Sequence, residues 1–158
     1  MELKRSIAAE RVRYPAAGVP GLTREGEAGR RLNITVLFTS VKATLAALNR
    51  AAALAKGLNS RITLFVSQAV PYSLPLDKPP VLLTFRERQL RELAAQSPVE
   101  TTVRLYLCRD PWRALTAALR PSSLVVVGVR RGWWPTREKS LVRKLRRTGY
   151  EVAVIDVP

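Results

Sequence analysis

The residues best equipped for chemistry are crowded between Gly128 and Gly149. Eight basic side chains (Arg130, Arg131, Arg137, Lys139, Arg143, Lys144, Arg146 and Arg147) share that stretch with one acid, Glu138, for a net charge of +7. Trp133 and Trp134 sit in its middle, bounded by Gly132 and Pro135. Cations neutralise phosphates while indole rings stack on bases, so the pattern suits a polyanion. It also suits a membrane interface, where Trp is at home and Arg meets anionic head groups. The plainer alternative is structural. The tryptophans then cover an apolar edge, and the arginines form the solvated face of a helix that turns Leu141, Val142 and Leu145 inward. The sequence leaves these readings open.

What the chain lacks is as informative. It has no His and a single Cys, Cys108. A Ser-His or Cys-His nucleophile is therefore absent, the commonest metal ligand is missing, and one thiol makes neither an internal disulfide nor a zinc site. The carboxylates show no paired arrangement for acid–base work. Arg109 beside Cys108 favours a thiolate, but no base or resolving thiol accompanies it, and Asp110 is explained as a helix cap. Binding, not catalysis, is the expectation. The whole chain carries 27 Lys and Arg against 12 Asp and Glu, a net +15, which favours phosphate-bearing small molecules, nucleic acid or anionic surfaces as partners.

The elements that must position these residues alternate. Residues 1–31, rich in Gly, Pro, Ala and charge and carrying a net +3, read as a flexible basic tail with a short helix over Ile7 to Val12. From residue 32 to 158 the pattern is that of one α/β domain. Ile34 to Phe38 is a short apolar, β-branched strand, and Ser40 caps a helix with Val41, Leu45, Leu48, Ala52 and Ala55 inward and Gly57 closing it. A strand over Arg61 to Val66 follows. A proline-rich connection (Pro71, Pro75, Pro79, Pro80) then precedes a helix opened by a Thr84–Glu87 capping box, with Phe85, Leu90 and Leu93 inward. Thr101 to Leu107 is a strand, Asp110-Pro111 starts a helix, and Leu124 to Gly128 is the most apolar strand. A helix from about Thr136, stopped by Gly149, and a final strand, Val152 to Ile155, complete the chain. Short helices between continuous apolar strands call for right-handed crossovers and a doubly wound, five-stranded parallel sheet. No apolar run approaches the roughly 20 residues of a membrane span or forms a signal peptide, so a soluble, cytoplasmic protein is expected.

Three features resemble the universal stress protein family over about 125 residues. They are Val36-Leu37-Phe38-Thr39-Ser40 running into an Ala/Leu-rich helix, Arg109-Asp110-Pro111-Trp112 before the third helix, and Leu124-Val-Val-Val-Gly128 followed by a basic loop with Lys139-Ser140 at the next helix start. The resemblance implies a flavodoxin-like strand order, 3-2-1-4-5, and a nucleotide site where the first and fourth strands of that set end. It places Thr39, Ser40 and Val41 on one wall, and Gly128, Arg130, Arg131, Gly132, Lys139 and Ser140 on the other. ATP, or another phosphate-bearing ligand, is the implied cofactor. The motif departs from the family's pattern. Family members that bind ATP resemble Gly-x-x-Gly, nine residues, then Gly-Ser or Gly-Thr. Here three residues separate Gly128 from Gly132, six separate Gly132 from Lys139, and Lys139 stands for the last glycine. The family's acidic residue at the end of its first strand is Thr39. The resemblance thus implies a degenerate site in a stress-related or regulatory protein, with weak ATPase activity as a lesser alternative and a homodimer formed through the last strand. A nucleic-acid-associated protein using residues 128–149 is the competing expectation.

Overall fold

In a computed structural model of the chain, residues 9–13, 32–56, 58, 60–76, 78 and 82–158 are described. Their elements are β1 (Ala9–Arg13), β2 (Asn33–Leu37), α1 (Val41–Ala55), β3 (Arg61–Ala69), α2 (Leu83–Ala95), β4 (Thr101–Cys108), α3 (Pro111–Ala118), β5 (Leu124–Arg130), α4 (Arg137–Arg147) and β6 (Glu151–Val157). The sheet is entirely parallel, in the order β1-β4-β3-β2-β5-β6. Its last five strands form the expected 3-2-1-4-5 set. The sixth comes from the tail: Ala9 pairs with Val103 and Arg13 with Leu107. Ala9 to Arg13 is thus extended where a helix over Ile7 to Val12 was expected; Ile7 itself lies outside the described residues. Backbone pairing with the edge of β4 supplies hydrogen bonds that so short a helix would lack.

The apolar runs are continuous because both faces are covered. Val125, Val126 and Val127 at the centre are fully buried. One face packs under α1 and α2, gathering Ile34, Val36, Leu48, Leu64, Leu90 and Leu93. The other packs under α3 and α4, gathering Leu37, Phe65, Tyr106, Leu115, Val127 and Leu145.

Each of three helices starts where a side chain satisfies its free N–H groups. Ser40 accepts from the Ala43 N–H, Asp110 from those of Trp112 and Arg113, and Thr136 from that of Lys139. Pro111 occupies the first turn of α3 as expected, and Gly149, with φ +98°, turns the chain out of α4.

Two helices differ from expectation. α2 begins at Leu83 without a side-chain cap, so Thr84 lies inside its first turn instead of capping it. At about 100° per residue, Phe85 then falls roughly 80° from Leu93 and 140° from Leu90, and it stands 64 % exposed. In α1 the buried stripe is Ala43, Thr44, Ala47, Leu48, Ala51, Ala52 and Ala55, while Val41 faces solvent. Small residues let this helix approach the sheet closely. The helix ends with Lys56 as its C-cap; Gly57 lies outside the described residues. No helix among the described residues is long and apolar enough to cross a membrane.

Candidate functional site

The ends of β2 and β5 are tied to each other. The Thr39 hydroxyl donates to the Gly128 carbonyl at 2.8 Å, and the Thr39 N–H donates to the Thr44 hydroxyl at 3.1 Å. Ser40 is engaged as the α1 cap, and Val41 is exposed. Gly128 lies buried within β5, and a Cβ placed there would come within 2.1 Å of the Ala43 carbonyl oxygen. Its missing side chain therefore admits α1. Gly132, by contrast, lies exposed in the loop, with nothing within 4 Å of a Cβ built on it.

The β5–α4 loop is braced from inside. The Lys139 ammonium donates to the Gly132 carbonyl and, at 3.5 Å, to that of Trp134. The Arg131 N–H donates to the Val157 carbonyl. Held this way, the loop turns both indoles outward: Trp133 is 97 % and Trp134 79 % exposed. They cover no apolar edge. Arg130 and Arg131 are exposed just before them, and Arg137 just after.

The remaining basic residues run away from the tryptophans along α4, whose 11 residues span about 16 Å. Lys144 sits with its ammonium 4.1 Å from the centre of the Trp112 ring, and Arg146 donates to the Val152 carbonyl at 3.1 Å. Arg143 and Arg147 are exposed on the same helix. The stretch that reads as one basic cluster is therefore spread from the loop to the far end of α4.

A cavity of about 370 Å³ opens on the α3/α4 side of the sheet. Such volumes suit small ligands, whose pockets run from roughly 300 to 1,000 Å³. Leu37, Phe38, Phe65 and Ser67 line it from β2, β3 and the residue after β2; Pro111, Trp112 and Leu115 line it from α3. Arg137, Ser140, Leu141 and Lys144 complete it from α4. Three aromatic side chains thus face two cations: Arg137 in the first turn of α4, an end that itself favours negative charge, and Lys144 in the last turn. Phe65 is held from behind by Tyr106, with ring centres 4.8 Å apart. Phe38 is held by the Arg86 guanidinium, 4.7 Å from its ring centre.

Of the expected nucleotide-site residues, Ser140 lines this cavity, joined by Arg137 and Lys144 from the expected polyanion set. Thr39, Ser40, Val41, Gly128, Arg130, Arg131, Gly132 and Lys139 do not line it. Phe38, Phe65, Ser67 and Trp112 do, though the sequence singles none of them out as ligand-binding. Phe38, Ser67 and Trp112 share one signal, a position towards the carboxyl end of a strand or at the start of the helix that follows; Phe65 lies in mid-β3, level with Leu37 at the end of β2.

The same architecture is found in a solved protein. The universal stress protein from Archaeoglobus fulgidus, determined in complex with dAMP, superposes with a TM-score of 0.53 over 80 % of this chain and 98 % of its own, at 14 % identity. The fold is that of the universal stress proteins. A second universal stress protein, determined in complex with cAMP, aligns with a TM-score of 0.47 over 80 % of this chain and 96 % of its own, at 17 % identity. No protein-family model and no curated protein matches the sequence. Within this universal-stress-protein fold, Cys108 closes β4 and is buried; burial, with the Asp110 carboxylate nearby, pushes its thiol up to about 11. That is the reverse of an activated cysteine. No group of three or more metal-ligating side chains comes together among the described residues.

Proposed function

We propose that this chain is a non-catalytic, regulatory binding protein of the universal stress protein type, cytoplasmic, and taking a phosphate-bearing ligand in the cavity between α3 and α4. The observation that carries the reading is the cavity's composition. Phe38, Phe65 and Trp112 offer faces to a flat or apolar body, while Arg137, Lys144 and the start of α4 offer positive potential to an anionic group. The Archaeoglobus fulgidus protein was solved with dAMP, which makes adenine nucleotides the first class to try. The degenerate glycine motif fits a site that relies on these side chains more than on a glycine cradle.

A homodimer through β6 belongs to the same reading. β6 is an edge strand whose Ala153, Val154 and Ile155 are only half-buried, a surface suited to pairing with a second copy.

Trp112 is a built-in reporter. In a Trp133→Phe/Trp134→Phe background, titration with AMP and ATP should give a saturable change in tryptophan emission that Arg137→Ala combined with Lys144→Ala removes. No phosphate release from ATP should accompany it. A folded protein silent to both nucleotides overturns the nucleotide reading, and sustained ATP turnover overturns the non-catalytic one.

A further inference from the structure

We propose that the end of the molecule at which the strands finish is a docking face for an anionic lipid bilayer. In a parallel sheet every strand-to-helix connection leaves from one end, so residues far apart in sequence collect there. Val41, Tyr72, Leu82, Phe85, Trp133 and Trp134 all lie on these connections or in the first helical turn after them, and all are exposed. Of the large exposed apolar side chains among the described residues, Leu58 alone lies at the other end, after α1.

The connections are held together as one rim. Thr39 bonds Gly128, Arg86 from the first turn of α2 lies over Phe38, and Lys42 at the start of α1 donates to the Pro158 carbonyl at 3.4 Å. An exposed apolar group of this extent on a soluble domain marks an interaction surface. Its chemistry selects lipid. Trp133 and Trp134 have the amphipathic rings that settle at head-group depth, and Arg130 and Arg131 beside them complement anionic head groups. Val41 and Leu82 are aliphatic; they cannot stack on bases, but they can enter the boundary of the acyl chains. Arg146 and Arg147, in the last turn of α4, lie at the other end of that helix and add no charge to this rim.

The full chain is mixed with vesicles of phosphatidylcholine alone and of equimolar phosphatidylcholine and phosphatidylserine, some with brominated acyl chains, and with a single-stranded oligonucleotide. Binding to the phosphatidylserine vesicles is expected, with bromine quenching of tryptophan emission. Trp133→Ala/Trp134→Ala should weaken binding about tenfold or more without lowering the melting temperature, because both rings are solvent-facing. Arg130→Ala and Arg131→Ala should each cost about fivefold, and Leu58→Ala nothing. An unquenched emission, a Trp-pair variant that binds vesicles as tightly as the parent, or binding to the oligonucleotide in place of vesicles overturns the proposal. The last outcome assigns the face to nucleic acid. None of these variants touches Arg137, Lys144 or Trp112, so the result is independent of the cavity's ligand.

Discussion

On one face of the sheet α1 lies so close to β5 that a single methyl group at Gly128 would meet the Ala43 carbonyl; on the other, α3 and α4 leave an opening of about 370 Å³ between them. The first face is filled with Ala43, Ala47, Ala51 and Ala52 against valines, and small residues there serve close packing. The second is filled with larger and more irregular side chains, Phe65, Tyr106, Trp112 and Leu115, whose mismatch leaves room. A glycine near a strand end therefore has different meanings according to which face its missing side chain would occupy. The ligand-sized space lies where the packing is aromatic.

Substitutions separate the two faces. The largest effect is expected from Gly128→Ala, where backbone meets the new methyl group and neither side can yield easily; a loss of about 3 kcal/mol, seen as a lowered denaturation midpoint, is the expected outcome. A variant as stable as the parent breaks the account of the closed face. Next is Cys108, under the α3/α4 face. Its thiol ionises at about 11 in the folded chain against an ordinary 9.0, so the unfolded chain releases its proton first. Stability is full below pH 9 and falls as pH rises from 9 to 11, by on the order of 2 kcal/mol from this group. Denaturation of the parent and of Cys108→Ala across that window checks it: the parent's extra pH dependence should vanish in the variant.

Smaller effects sharpen the comparison. Trp112→Ala should weaken nucleotide binding about tenfold by calorimetry, on the scale of one lost aromatic stack, and should also cost about 1 kcal/mol of stability because the ring packs on the α3/α4 core. Thr39→Ala should separate the two effects. Losing the bond to the Gly128 carbonyl costs about 1 kcal/mol of stability, with ligand affinity unchanged. If Thr39→Ala abolishes binding and Trp112→Ala does not, the site lies on the wall that the family resemblance indicates.

Much of this architecture is legible in the residues themselves. Leu124 to Val127 is a strand because only a position covered on both faces tolerates four consecutive branched apolar side chains. Ser40, Asp110 and Thr136 announce three helix starts because their side chains accept N–H bonds that nothing else would satisfy. Gly149 stops α4 because a positive φ suits it. The rest depends on contacts between distant segments. Phe38, Phe65 and Trp112 meet at one cavity only once β2, β3 and α3 are assembled, and nothing in their spacing along the chain brings them together. The exposure of Trp133 and Trp134 follows from the Lys139 brace, in which a lysine that reads as a phosphate ligand holds loop carbonyls. β1 lacks any apolar run, because its place is fixed by backbone pairing to β4.

That pairing orders events in time. Ala9 leaves the ribosome well before Val103, its neighbour in the sheet, and a parallel ladder offers no nearby hairpin to start from. Until β4 is made, Ala9–Arg13 has no strand to join. β4 must be made before Ala9–Arg13 can take its place, so β1 waits, unpaired, for a strand translated long after it.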